Sequence, residues 1–309
     1  MEKNSRVLVT GASGLIGSEV VNLLRNRGFC NLYLPTKSEL DLKKQGLVNE
    51  WFDVHRPEYV FHLAAKVGGI FANHTYPAEF IYNNTIIHSN IFFAANEYGV
   101  RKVLFPGSAC SYPKFAKQPV KERELLNGEI EPTNIAYAAA KINGVVMGQS
   151  FAKQYNMNVA LPVITNTYGD NDHFGLESSH VIPALIKKIH DAKKNGKNDV
   201  VLWGSGKPLR EFIHSKDVAS ALIFLMLNYD DSELINVGTE EELSIKGLAF
   251  LIREIVGYKG EIIFDTNYPD GSLRKCLDSS KLKALGWRQE ISIKEGVQSV
   301  YKSYLKSIK

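Results

Sequence analysis

The chain holds only three cysteines in 309 residues, Cys30, Cys110 and Cys276, an odd number without CxxC spacing. That scarcity argues against a disulfide framework or a structural metal site and points to a reducing, cytoplasmic setting. Long apolar runs are missing too. The longest, Val218 to Leu227, is far short of the ~20 residues a bilayer span needs, so no membrane partner is expected. Met1–Arg6 runs directly into strand-like sequence and does not read as a secretory leader. Neither sign of charge dominates: 37 basic and 33 acidic residues are intermixed at a net +4, which leaves no basic stripe for nucleic acid. No segment repeats and no tract is of low complexity, and with 23% charged and 10% aromatic residues and only 24 glycines and 11 prolines the composition excludes disorder, collagen and coiled coil. What the chain has in quantity is apolar side chains, 44% of its residues, enough for one large α/β domain or two smaller ones.

From Arg6 onward, short apolar runs alternate with helical patterns. Val7–Val9, Asn31–Leu34, Tyr59–Phe61, Val103–Phe105 and Asn158–Leu161 read as strands. Ile16, Val20, Leu23 and Leu24 share one helical face, and a long helix is predicted from about Ala78 to Tyr98. Near-continuous apolar strands linked by helices predict a Rossmann-like, doubly wound parallel sheet of the α/β class, covered on both faces. Past Tyr168 the rhythm changes. Helical stretches near 181–194 and 244–256 alternate with short strands at Val200–Trp203 and Ile262–Phe264, and a helix near 293–305 closes the chain. The expectation is a Rossmann-like domain over 1–168, to which about 212–238 returns, and a smaller α+β domain over 169–309. The active site is expected in the cleft between them.

The first strand leads into Gly11-Ala12-Ser13-Gly14-Leu15-Ile16-Gly17, a GxxGxxG loop that opens the first helix. Glycines let backbone approach a pyrophosphate closely, and a helix N-terminus favours its charge. The position predicts a dinucleotide site. At the end of the second strand Lys37 precedes any acid, which suits a 2′-phosphate and hence NADP(H). Asp41 follows, able to contact the adenine or to cap the next helix.

Tyr137 and Lys141 form a YxxxK pair, one above the other on a helix. A free phenol, pKa about 10, is a weak proton donor at neutral pH, and a nearby cation is expected to lower that value. Upstream, the fourth strand ends in Pro106-Gly107-Ser108-Ala109-Cys110, at the carboxyl edge where α/β folds bind ligands. Ser108 can donate to a substrate carbonyl. On an extended backbone Ser108 and Cys110 would point to the same side.

The glycine loop with Ser and YxxxK resembles the extended short-chain dehydrogenase/reductase superfamily. The segments AAKVGGI at Ala64–Ile70, NHTYPAEFI at Asn73–Ile81, GSACSYPK at Gly107–Lys114, EPTN at Glu131–Asn134, SHVIPAL at Ser179–Leu185 and WGSGKPLREF at Trp203–Phe212 narrow the resemblance to the GDP-L-fucose synthase family. That family comprises homodimeric 3,5-epimerase/4-reductases, and the resemblance spans about residues 6–285. It implies that Tyr137 protonates the C4 oxygen of a GDP-4-keto-6-deoxy sugar as NADPH delivers hydride to C4, assisted by Lys141 and Ser108. Cys110 and His180 become the acid/base pair for epimerisation. The dinucleotide would further meet Leu63, Ala64, Ala65, Pro106, Gly107, Ile164, Asn166, Thr167 and His180. Lys188, Trp203, Arg210 and Asp270 would hold the GDP-sugar.

Epimerisation suits two residues, since a proton acidified beside the C4 ketone must leave one face and return to the other. Other readings of the same residues stand: Cys110 as a small buried filler, His180 as a helix start, Lys188 as part of a solvated basic face. Among departures from the family pattern, Ser13 in place of a basic residue removes one cation for the 2′-phosphate and leaves NAD as an alternative to NADP. Near the sugar stand Ala109 in place of serine, Ile135-Ala136 before Tyr137, Thr167-Tyr168-Gly169-Asp170 without proline, and Phe174-Gly175-Leu176-Glu177 on the approach to His180. They are compatible with another sugar, such as a heptose, or with C4 reduction alone. A non-catalytic NADP-binding sensor is the remote alternative.

Overall fold

The computed structural model describes residues 1–175 and 179–308. The first half alternates strand and helix: β1 (Val7–Thr10), α1 (Leu15–Asn26), β2 (Leu32–Tyr33), α2 (Gln45–His55), β3 (Tyr59–His62), α3 (Ile70–Thr75), α4 (Pro77–Glu97), β4 (Lys102–Leu104), β5 (Gly107–Ser108), α5 (Ile135–Tyr155), β6 (Val159–Ile164) and β7 (Asn166–Tyr168). The second half adds α6 (Val181–Lys194), β8 (Asp199–Trp203), β9 (Leu209–His214), α7 (Ser215–Asn228), β10 (Leu234–Val237), β11 (Glu242–Ser244), α8 (Ile245–Val256), β12 (Glu261–Asp265), β13 (Arg274–Lys275), α9 (Ser280–Ala284) and α10 (Ile293–Ser307).

The main sheet is parallel throughout, ordered β10-β6-β4-β3-β1-β2, with β5 pairing to β6. Its strands are apolar on both faces because each face meets helices. In β1, Val7 and Val9 join a core with Val20 and Leu24 of α1 and Val218, Leu222 and Met226 of α7. Leu8, pointing the other way, joins Phe52 of α2, Ile91 and Phe92 of α4 and Val145 of α5. The period-two alternation of a strand thus divides one run of sequence between two hydrophobic layers. Full burial of such a side chain contributes about 1.5–3 kcal/mol. Lys102, 2% exposed, fastens α7 to β4: its Nζ donates to the carbonyls of Leu225, Met226 and Tyr229 (3.1, 3.0 and 2.6 Å) and pairs with Asp230 at 3.0 Å.

A third core joins Ile182, Ile186 and Ile189 of α6, Val200 and Leu202 of β8, Leu248 and Ile252 of α8, and Val297 and Val300 of α10. Two small sheets lie on this side. β9 is flanked by antiparallel β11 and parallel β13 and also pairs with β7, while β8 pairs in parallel with β12. Strand order in the main sheet reverses at β1, the first-formed strand, with β2 on one side and β3 on the other. The crevice outside the carboxyl ends of β1 and β3 is therefore where this architecture binds ligands.

Candidate active site

Two loops meet in that crevice. Gly11 has φ +69°, and a Cβ placed there would come within 2.9 Å of the Ala64 backbone. A Cβ on Gly17 would come within 2.0 Å of the Gly11 carbonyl oxygen. Only glycine permits the loop Gly11–Gly17 to lie this flat between Leu63–Ala65 and α1. Gly14 caps α1 without a side chain, so no side-chain acceptor occupies the first-turn amides. Ser13 and Gly14 are exposed at the mouth. A cradle of this shape with open helix-end amides fits a dinucleotide pyrophosphate.

At the end of β2, Lys37 is exposed on a turn. Glu39 faces back, accepting from the Thr36 amide and hydroxyl (2.7 and 2.8 Å), and those bonds hold its carboxyl below the ordinary range. The cation is thereby left open on the loop and the nearest acid is engaged. Asp41 accepts from the Lys43 amide at 3.1 Å in the turn before α2, but the helix N-cap is Lys44 without a side-chain cap, so the capping alternative is not realised.

Ser108, Cys110, Tyr137 and Lys141 come together where β4, β5 and α5 meet. Gly107 packs tightly: a Cβ would stand 3.3 Å from methyls of Val145 and Val163. Ser108 ends β5, and its Oγ accepts from the Cys110 amide at 3.3 Å, capping a 3₁₀ turn over Ala109–Ser111. The extended Ser108–Cys110 geometry expected from spacing is therefore corrected. The serine hydroxyl captures a backbone amide and bends the chain, yet the bend still brings both groups to Tyr137, whose ionisation each of them influences.

The electrostatics also depart from expectation. Burial pushes the Tyr137 phenol up from its ordinary 10, the Cys110 sulfur adds to the rise, and hydrogen bonding from Ser108 opposes it. No hydrogen bond joins Lys141 to the phenol among the described residues. The Lys141 Nζ donates to the Pro106 carbonyl at 2.8 Å and stands 4.8 Å from the centroid of the Phe105 ring, and burial draws the amine down to about 8. Desolvation of the phenolate outweighs attraction from an ammonium directed at a backbone oxygen. The phenol is thus held in its proton-carrying form.

The remaining cofactor-side residues lie along the same edge: buried Ile164 ends β6, Asn166 donates to the Glu211 carbonyl at 2.9 Å, and Thr167 to the Thr165 carbonyl at 3.2 Å. A second cluster gathers on the other lobe. Trp203 stacks on Tyr268, ring centroids 4.3 Å apart and planes 11° from parallel. Asp270 accepts from the amide and hydroxyl of Ser205 (2.8 and 2.6 Å) and lies near Arg210, easing the cost of that half-buried guanidinium. Lys188 is exposed on α6, where burial of its stem and Lys197 lower its pKa.

His180 opens α6, its Nδ1 3.8 Å from Asp172 Oδ1. No hydrogen bond or ion pair joins it to the Tyr137 cluster among the described residues. Leu176 and Glu177, expected on its approach, lie outside the described residues, as does Ser178. Ala109, Tyr112, Lys114 and Thr165 line a small crevice with Lys275 and Cys276, so segments of both lobes share one wall. Tyr268 and Ser205 escaped the sequence reading. The available signal was an aromatic-proline pair directly before Asp270 and a serine between two glycines after Trp203.

A parallel sheet with a glycine cradle at its switch point and a Ser-Tyr-Lys constellation at the neighbouring strand end defines a dinucleotide-dependent enzyme of the short-chain dehydrogenase/reductase class. The chain belongs to the NAD dependent epimerase/dehydratase family, whose profile matches residues 7–238. GDP-L-fucose synthase 1 of Arabidopsis thaliana is 47% identical across 99% of this chain and 95% of its own length. GDP-L-fucose synthase of Escherichia coli is 45% identical over 98% of this chain and 97% of its own. The structure of a GDP-mannoheptose C4 reductase from Campylobacter jejuni with NADP bound superimposes with a TM-score of 0.91, at 36% identity and 99% coverage of both chains.

Proposed function

We propose that the protein reduces C4 of a GDP-4-keto-6-deoxy sugar with NADPH after epimerising C3 and C5. The carrying observation is the convergence of Ser108, Cys110, Tyr137 and Lys141 at the carboxyl edge of the main sheet. NADPH would lie over Gly11–Gly17 and Leu63–Ala65 with Lys37 at its 2′-phosphate, and it supplies the hydride. Ser108 orients the C4 carbonyl. The Tyr137 hydroxyl gives its proton to the C4 oxygen as the carbonyl is reduced, and its raised pKa keeps that proton in place until the alkoxide forms. Lys141, cationic below about pH 8, stabilises the phenolate left behind. For epimerisation, Cys110 and His180 are the pair that removes a proton from one face of the sugar and returns one to the other.

Arg210 presents its fork to the pyrophosphate of GDP, Trp203 offers a wall to the nucleotide, and Asp270 and Lys188 complete the grip. The larger lobe, residues 1–168 with 212–238, serves the dinucleotide, and the remainder serves the sugar nucleotide. α4 and α5 leave Tyr82, Phe93, Val146 and Tyr155 partly exposed, an apolar face suited to pairing two copies. Among the described residues no helix is long and apolar enough to cross a membrane. A cytoplasmic homodimer feeding surface polysaccharide synthesis is the setting this reading favours.

Reduction without epimerisation is a second reading, favoured by similarity to a C4 reductase of a GDP-heptose. Incubating the 4-keto substrate in deuterated water without NADPH separates the two. Deuterium at C3 and C5 is expected; an unlabelled sugar that is still reduced on adding NADPH selects the second reading.

A further inference from the structure

Beneath the reducing site runs a line of buried polar groups that the reaction above does not use. The Ala64 amide donates to Thr10 Oγ1 at 3.1 Å, Thr10 Oγ1 meets His62 Nδ1 at 3.0 Å, and His62 Nε2 meets His88 Nδ1 at 3.0 Å. Thr10, His62 and His88 are each at most 1% exposed. His88 Nε2, also buried, has no partner among the described residues. The His88 ring packs edge-on against Phe105, centroids 4.6 Å apart, and Lys141 Nζ stands 4.8 Å from the centroid of that same ring.

An amide can only donate, so Thr10 accepts from Ala64, and since the described hydrogen bonds offer its hydroxyl proton no other acceptor, that proton is assigned to His62 Nδ1. His62 then carries its proton on Nε2 and donates to His88 Nδ1, which leaves the His88 proton on Nε2. Both rings are neutral: burial, with Lys141 nearby, lowers His62 to about 3. Burial, the neighbouring His62 and Lys141 take His88 well below its ordinary value. Lys141 is the titratable group acting on His62, and His62 and Lys141 are those acting on His88. A chain ending blindly at a peptide amide cannot be resupplied with protons, so it does not conduct them. What it can do is hold three elements at fixed spacing.

We propose that His62 and His88 are positioning residues, an uncharged strut tying the floor of the dinucleotide cradle at Thr10 and Ala64 to α4 and, across Phe105, to Lys141. Neutrality is the useful property, because a charged ring here would set a second cation beside Lys141. Hydrogen-bonded imidazoles also give rigidity that an apolar pair would not. The proposal rests on the reading of Lys141 as part of the reducing site. It is tested through NADPH binding without any sugar, so it stands or falls separately from the substrate assignment.

The test is made on the intact chain by nitrogen-15 spectra of the imidazoles and by fluorescence titration with NADPH. Both rings are expected as neutral Nε2–H tautomers from pH 8 down to 5, shifting on NADPH addition. His88→Asn keeps an acceptor for His62 and should leave the Kd for NADPH within about threefold of the parent. His88→Leu removes that acceptor and should raise it about tenfold, with kcat at saturating NADPH changed far less. Should His88→Leu not fold, Thr10→Val cuts the chain at its other end and carries the same expectation. Imidazolium signals at neutral pH, an Nδ1–H tautomer at His62, or parental affinity in both the leucine and valine variants would overturn the strut.

Discussion

Tyr137 and Trp203 are two aromatic residues assigned to one reaction, and their surroundings differ in kind. The Tyr137 hydroxyl is enclosed with Ser108 and Cys110 above a parallel sheet, while Trp203 leaves 69% of its surface open and stacks on Tyr268, itself 43% exposed. Under the proposed function, chemistry would be buried and preorganised, with Ser108 and Cys110 acting on the Tyr137 phenol. Recognition would lie at the surface, at a stack and a carboxylate pinned by Ser205. Perturbing the first region should change rate and stability. Perturbing the second should change affinity.

The sharpest way to break this contrast is Tyr137→Phe. Turnover of the 4-keto sugar should fall by roughly 10²–10⁴ with NADPH affinity intact; undiminished NADPH oxidation would remove the phenol as proton donor. The next effect is on stability. Since the folded pKa of His62 lies near 3, against 6.5 for a free ring, the unfolded chain binds more protons as pH falls below 6.5. Stability held above that value should be lost by about 2 kcal/mol for the His62 ring between pH 6.5 and 5, with a further loss of the same sign from His88, read from urea midpoints. A flat profile would mean the rings are charged in the fold. The smallest effect sharpens the surface side: Arg210→Lys, which loses the bidentate fork, should raise KM for the GDP-sugar about tenfold with kcat little altered. A loss confined to kcat would move Arg210 to the reacting centre.

Much of the scaffold is legible in the sequence because its signals are local. Val7–Val9 is a strand wherever a sheet is covered on both faces, and Tyr137 and Lys141 stand a turn apart on any helix. The turn at Ala109–Ser111 was not legible, because a serine hydroxyl competing for an amide two residues on leaves no trace in residue spacing. Nor was the sign of the Tyr137 shift. It depends on desolvation and on a Pro106 carbonyl capturing Lys141, both products of tertiary packing. The His62–His88 pair joins residues 26 apart in sequence, and neither sits in a motif.

The placement of β10 has a consequence for how the molecule is made. Leu234–Val237 completes the main sheet beside β6, and α7 brings Val218, Leu222 and Met226 to its first core, yet both emerge only after β7, β8 and β9. During synthesis the nascent sheet waits with an open edge until the ribosome has passed Val237. A fragment truncated at Tyr168 would keep that edge and a bare apolar face, the ingredients of aggregation, so genetic transplantation of the main sheet with its helices requires grafting two separate stretches of chain.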